Sequence, residues 1–375
     1  MTNPEKLLRE LIALPSVNPA FVSEGNPRAG EQCVGEFLAA TAARAGLDIE
    51  FQSVLPARCN ILARLFPREK TQQRILLAPH LDTVDGAESQ FTPLINNGRL
   101  FGRGACDTKG SVAMMMSALC ELAQHKPRPG ATEIVFAGLV DEENAQAGSR
   151  ALAAAGFQAD LAIVGEPTQT QLVTAHKGSL WLQFETRGKS AHGARPELGC
   201  NAIHQMSRIV NWLQTEYAAL LRRRRHRLLG CATVSVGVIR GGTQTNIVPD
   251  HCSISVDRRT LPGETEASVR RQLQSLLRKK KLRALLGNGK LAPCLPLETN
   301  PRLPLVAQFL RCLAQRKPVG VDYFCDASVL ARGGIPSVVF GPGDIAQAHT
   351  ANEWISLRSL ERGFSGLLRF LRSLP

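Results

Sequence analysis

The sequence predicts an α/β chain: a mostly parallel sheet covered by helices, interrupted by a smaller inserted α+β unit. Three observations carry this. Short apolar runs alternate with helical stretches over residues 1–177 and again over 298–375. Over 178–297 the pattern changes to strand, helix, strand, strand, helix, strand, the order of a ferredoxin-like unit. Charge changes at the same place: from Gly178 to Leu297, 20 Lys and Arg stand against 7 Asp and Glu, a net +13, while the remainder holds 25 of each sign. One segment therefore carries the whole imbalance, which marks a domain.

Residues 2–14 read as an amphipathic helix, followed by a Pro/Asn/Gly-rich loop to Gly30 and a helix over Glu31–Ala45 that stops near Gly46. Strands follow around Asp48–Val54 and Ile61–Leu65. The apolar run Ile75–Ala78 reads as a short buried strand ending on His80, with Asp82 two residues on. A Gly-rich loop delivers Asp107 just before a helical stretch, Ser111–Leu122. Thr132–Val140 is a buried strand ending on Asp141, Glu142 and Glu143, followed by a helix over Ser149–Ala155. Asp160–Val164 is a strand ending on Gly165 and Glu166.

In the inserted unit, Ser179–Arg187 alternates like a half-exposed strand. A long helix is expected over Asn201–Arg225, strands over Ala232–Ile239 and His251–Asp257, a basic helix over Glu266–Leu282 and a last strand near Leu291–Leu295. The first pattern then resumes with a helix over Leu303–Gln315. A buried strand, Pro336–Phe340, leads through Gly341, Pro342 and Gly343 to His349, and a terminal helix starts at Ser356.

Composition removes several classes. With 44% hydrophobic and 21% charged residues, the chain is not of the disordered kind. No apolar run approaches a membrane span. The first residues carry acids and no long apolar segment, so no secretory signal and a cytoplasmic location are expected. The ten cysteines show no CxxC spacing, which argues against thiolate zinc sites. Cys106 and Cys325 read as packing residues, since an acid neighbour raises a thiol's pKa. The runs Arg222–Arg225 with Arg227, and Arg278–Lys281 with Arg283, lie at helix ends. Aromatics are only 5% of the chain and do not interleave with them, so no nucleic-acid partner is expected, and no membrane partner either.

The strand ends carry the chemistry. His80, Glu142–Glu143 and Glu166 follow three apolar strands, His349 follows a fourth after a short loop, and Asp107 sits in the loop after the first. In parallel sheets, sites form at the carboxyl ends of the strands, so these residues converge on one rim. Clustered carboxylates repel and resist desolvation, and cations would neutralise them. Two divalent ions bridged by one carboxylate, about 3.5–4 Å apart, suit the set. Nitrogen and oxygen ligands without sulfur favour zinc, with cobalt or manganese as alternatives. Asp82 suits an outer position, holding the far nitrogen of His80.

The motifs resemble the family of acetylornithine deacetylase, succinyl-diaminopimelate desuccinylase and carboxypeptidase G. The matching pieces are HLDTV (80–84), GRGACDTKG (102–110), DEEN (141–144), GEPT (165–168) and GKSAHGARPELGCNAI (188–203), then NIVPDHCSISVDRRTLPGE (246–264), DASVL (326–330) and GPGDIAQAHTANE (341–353). They run in order over nearly the whole chain, and the last looks closest to the acetylornithine deacetylase branch. The resemblance implies a zinc-exopeptidase-like catalytic domain, 1–177 with 298–375, and an inserted lid and dimerisation domain, 178–297.

Carried over position by position, it implies that His80 and Glu166 bind one zinc, Glu143 and His349 the other, and that Asp107 bridges them, giving two zinc ions per chain. Asp82 would orient His80, and Glu142 would be the general base. His192 would reach the substrate's carbonyl oxygen in a partner subunit's site. Asn246 and Arg259 would grip the substrate carboxylate, with Gly341 also at the substrate. A cis peptide between Asp107 and Thr108 is implied as well. Cys325 departs from the family, where Thr or another small residue is frequent. The expected activity is hydrolysis of an N-acyl-L-amino acid amide, with an N-acyl amino acid or dipeptide as the small-molecule substrate. Desuccinylase-type or carboxypeptidase/dipeptidase activity is the enzymatic alternative, and a catalytically silent metal-stabilised binding protein the non-enzymatic one.

Overall fold

Apolar runs too short for helices build the larger sheet. The computed structural model describes residues 3–289 and 294–375, which fall into two units: Met1–Thr174 with Thr299–Val319 and Cys325–Pro375, and Ala175–Glu298 with Gly320–Phe324.

In the first unit the strands lie in the order Asp48–Leu55, Arg58–Leu65, Thr132–Gly138, Gln73–Pro79, Leu161–Gly165, Ser337–Val339, then the strand beginning at Val173. The middle four run parallel, and every residue of Thr132–Gly138 and Leu161–Gly165 is buried, as expected of strands covered on both faces. The flanks are antiparallel. On one side the cause is local. Only Pro56 and Ala57 separate Asp48–Leu55 from Arg58–Leu65, with Ala57 in the left-handed region at φ 57°, and so tight a link joins only antiparallel strands. Helix Lys109–Gln124 is buried along nearly its whole length and packs against helices Pro4–Ile12 and Leu357–Arg372. Helices Ala147–Ala154 and Ala327–Arg332 pack on each other. The four parallel strands end on one rim, where His80, Asp141–Glu143, Glu166 and the loop to His349 begin.

The second unit is a four-stranded antiparallel sheet in the order Thr233–Gly241, His251–Thr260, Gly178–Arg187, Leu285–Asn288. With the helices between its strands it has the ferredoxin-like arrangement. Met206, Ile209, Val269, Leu273 and Leu277 from the helices bury against Leu182, Phe184, Ile254 and Val256. The expected single helix over 201–225 is three pieces. A π-helical turn, Leu213–Tyr217, separates Ala202–Trp212 from Ala218–Arg222, and Arg225–His226 leaves to pair with Gly230–Cys231. The wider turn lets Trp212, Leu213 and Tyr217 all face the core. Residues 291–293 of the expected last strand lie outside the described residues; Cys294 bridges antiparallel to Ser179, and the edge strand on that side of Gly178–Arg187 is Leu285–Asn288. Among the described residues no helix is long and apolar enough to cross a membrane.

Candidate metal centre

Asp107 lies between two imidazoles. Its Oδ1 is 3.1 Å from His80 Nε2, and its Oδ2 is 3.3 Å from His349 Nε2. His349 Nε2 also lies 3.1 Å from Glu143 Oε2, and His80 Nε2 lies 3.8 Å from Glu166 Oε1. Two triads each offer one ligand atom per residue within 4.8 Å of one another: His80, Asp107 and Glu143, and His80, Glu142 and Glu166. Glu142 and Glu143, though adjacent, therefore serve different groups. The Asp107–Thr108 peptide is cis.

The donor set fits cations. Four acids and two imidazoles share a largely buried space, and protons must do what a cation would do. Burial, then the charges of Glu166 and Asp326, push Glu142 well above the usual carboxylate range. Burial and the charge of Asp107 do the same to Glu166. His349 is held protonated up to about 10 by Asp107 and Glu143. Burial opposes charge on His80, but its contacts with Asp107 and Asp82 outweigh this and raise its pKa. Imidazole and carboxylate donors gathered so closely suit hard or borderline divalent ions.

The acidic turn after strand Thr132–Gly138 is shaped by its backbone partners. Asp141 takes φ 67°, a left-handed value that Asp tolerates. The N–H groups of Glu142 and Glu143 both donate to the Asp82 carboxylate at 3.1 Å. The nearest Asp82 atom to His80 Nδ1 is the backbone carbonyl, at 3.0 Å, with the carboxylate at 3.4 Å. Asp82 thus meets His80 most closely through its main chain, while its side chain accepts from the Glu142–Glu143 turn. Behind it, Asn18 Nδ2 donates to Asp82 Oδ2 at 2.7 Å and to Asp141 Oδ1 at 3.0 Å. Arg58 joins Asp141, at 3.0 Å, to Glu31, which it meets with two hydrogen bonds of 2.5 and 2.8 Å.

Asn18, Glu31 and Arg58 escape a reading of motifs, because their partners are distant in the chain, and Asp141 stands in DEEN without a role assigned to it. Asp326 likewise receives no role from its motif. It lies in DASVL, is buried, and accepts a 2.6 Å hydrogen bond from Ser149 Oγ, and burial lifts its pKa to about 6.

Gly341 is needed for close packing: a Cβ there would lie 2.5 Å from the Glu166 carbonyl and 2.3 Å from Ser111 Oγ. Its N–H donates to Thr168 Oγ1, and its carbonyl accepts from Thr170 N. Burial, with nearby carboxylate charge, drives both the Cys106 and Cys325 thiols far up, so neither suits a nucleophile. His192, Asn246 and Arg259 belong to the second unit. Exposed His192 bridges to Ile247, and its Nδ1 accepts from Ala194 N at 3.1 Å. The neutral ring then carries its proton on Nε2. Asn246 accepts from Gly193 N at 2.7 Å through its carbonyl. A cleft of about 620 Å³ beside them is lined by Gly193, His204, Thr243 and Ile247, among others. Arg259 pairs with Asp257 at 2.9 Å, while its neighbour Arg258 is the fully buried arginine, bound to Glu264.

The family described as Peptidase family M20/M25/M40 matches residues 76–373. The chain is 33% identical over 299 residues to an acetylornithine deacetylase of Myxococcus xanthus, covering 77% of each chain. It is 30% identical over 367 residues to one of Edwardsiella ictaluri, covering 93% of this chain and 92% of that one. Among solved structures, a tripeptidase from Staphylococcus aureus superposes with a TM-score of 0.77 at 20% identity, over 99% of this chain and 98% of that one.

Proposed function

We propose, for a chain that belongs to peptidase family M20/M25/M40, that it is a two-metal hydrolase of N-acyl-L-amino acid amides, of acetylornithine deacetylase type. The observation that carries this is Asp107 set between His80 and His349, with Glu143, Glu166 and Glu142 around them. His80 and Glu166 would hold one ion and Glu143 and His349 the other, with Asp107 common to both. Zinc suits the donors best, and cobalt or manganese are alternatives. Such ions polarise the scissile carbonyl and make the attacking water more acidic.

The chain's own residues supply the rest. Glu142 takes a proton from the water and delivers it to the nitrogen of the leaving amine. Asp82 keeps Glu142 and Glu143 in register through their amides. His192, with its proton on Nε2, donates to the substrate's carbonyl oxygen, serving the site of a second subunit in a homodimer joined through 178–297. Asn246 and Arg259 bind the substrate carboxylate, for which a planar guanidinium is suited, and Gly341 lets the backbone beside Glu166 approach closely. A cytoplasmic location follows from the same reading.

The deacetylase names of relatives near 30% identity favour an acetyl group and a basic amino acid. Retention of Glu142 and of all five ligand residues disfavours a silent binding protein. The test is a screen of N-acetyl-L-ornithine, N-succinyl amino acids and dipeptides with zinc or cobalt present. Preferential release of acetate supports the reading. Preferential cleavage of dipeptides would move it to the peptidase alternative.

A further inference from the structure

We infer that Glu353 is a positioning residue of the metal centre, whose carboxylate fixes the loop carrying Asp107 and ties it to the segment carrying His349. This rests on the two-metal reading of the centre.

Glu353 is 1% exposed. Its Oε1 accepts from the N–H groups of Cys106 at 2.8 Å and Asp107 at 3.0 Å. Its Oε2 accepts from Gly104 N at 2.9 Å and from Arg103 Nη1 at 2.8 Å. Its carbonyl accepts from Gly102 N at 3.0 Å. One residue thus organises the whole turn Gly102–Asp107, which precedes the helix Lys109–Gln124. Only a carboxylate offers two oxygens that can each accept from two donors. Glutamine would put an NH₂ against N–H groups, and aspartate would fall short by a methylene.

Glu353 lies four residues after His349 and far along the chain from Asp107. Its side chain joins the two places, so Asp107 can present one oxygen to His349 and the other to His80. With the Asp107 amide pinned, the direction of its side chain is set before any ligand arrives. Were the anchor lost, Gly102 and Gly104, at φ 155° and 79°, would leave the loop free to choose other conformations. Losing a group that orients a ligand in this way typically costs about 10- to 100-fold in metal affinity.

The test is Glu353→Gln in the full-length chain. Wild type and variant are stripped with chelator and titrated with zinc by calorimetry, and bound ions are counted after dialysis. Circular dichroism and thermal unfolding check the fold of both. The expected result is a folded variant that binds zinc about 10- to 100-fold more weakly, keeps fewer ions than wild type, and regains activity at excess zinc. Wild-type affinity and stoichiometry in the variant, with lowered thermal stability alone, would overturn the inference. Zinc-free wild type provides a second measurement that needs no variant. The amides of Gly104, Cys106 and Asp107 should exchange slowly; exchange at open-loop rates would overturn the inference too. If wild type itself binds no zinc, the two-metal reading fails and takes this inference with it.

Discussion

Asn18 donates a 2.7 Å hydrogen bond to Asp82, so a side chain near the start of the chain holds the acid that holds Glu142 and Glu143. The same amide also bonds Asp141, and it is the polar link between those two buried acids. Asn18→Leu should destabilise the fold by about 1–3 kcal/mol, because two buried acids each lose one of their donors. Denaturant unfolding measures this. Zinc affinity should fall as well, since the Glu142–Glu143 turn loses its support. Unchanged stability and affinity would show that the link carries no weight.

Glu142→Ala should separate metal binding from turnover. The variant should retain its ions, because the five proposed ligand residues remain, and lose about 100- to 10,000-fold in kcat. Metal counting paired with kcat at saturating substrate is the check. A loss of less than about tenfold would remove Glu142 from the role of base.

His176 predicts a pH dependence of stability unrelated to the metals. It is fully buried, and its Nδ1–H donates to the Lys177 carbonyl at 2.9 Å. Burial lowers its pKa from 6.5 to about 4. As pH falls through 6.5 the unfolded chain takes up a proton that the folded chain refuses until about 4. Stability is therefore complete above that window and declines across it, by about 3 kcal/mol in all. Unfolding free energies of wild type and His176→Gln, measured from pH 7 to pH 4, should show a shallower slope in the variant. Parallel slopes would contradict the assignment.

Cross-subunit use of His192 predicts complementation. Glu142→Ala and His192→Ala chains should each be inactive. Mixed under conditions of subunit exchange, they form heterodimers with one site intact and one doubly deficient, so activity should partly return. No recovery, with exchange demonstrated by labelled subunits, would confine His192 to its own chain.

The rim residues are legible in the sequence because each lies at or shortly after the end of an apolar run, where a parallel sheet places its site. The run Ile75–Ala78 before His80, and the run before Glu142, are examples. Their supports are not legible. Asn18, Arg58 and Glu353 look like ordinary loop or strand residues, and only the fold brings them to Asp82, Asp141 and the amides before Asp107. The antiparallel edge is not legible, because the expected strands Asp48–Val54 and Ile61–Leu65 stop short of the tight link at Pro56–Ala57, and apolar patterning alone does not report strand direction. The break in the helix after Trp212 escapes periodicity, because a π-turn keeps three apolar residues facing the core where a regular helix would turn one away.

The most direct test of the central claim is hydrolysis of N-acetyl-L-ornithine by metal-stripped protein as zinc is added back in known amounts. The account predicts negligible acetate release from stripped protein and activity that rises to a plateau as two ions bind per chain. Full activity in protein shown to contain no metal would contradict it.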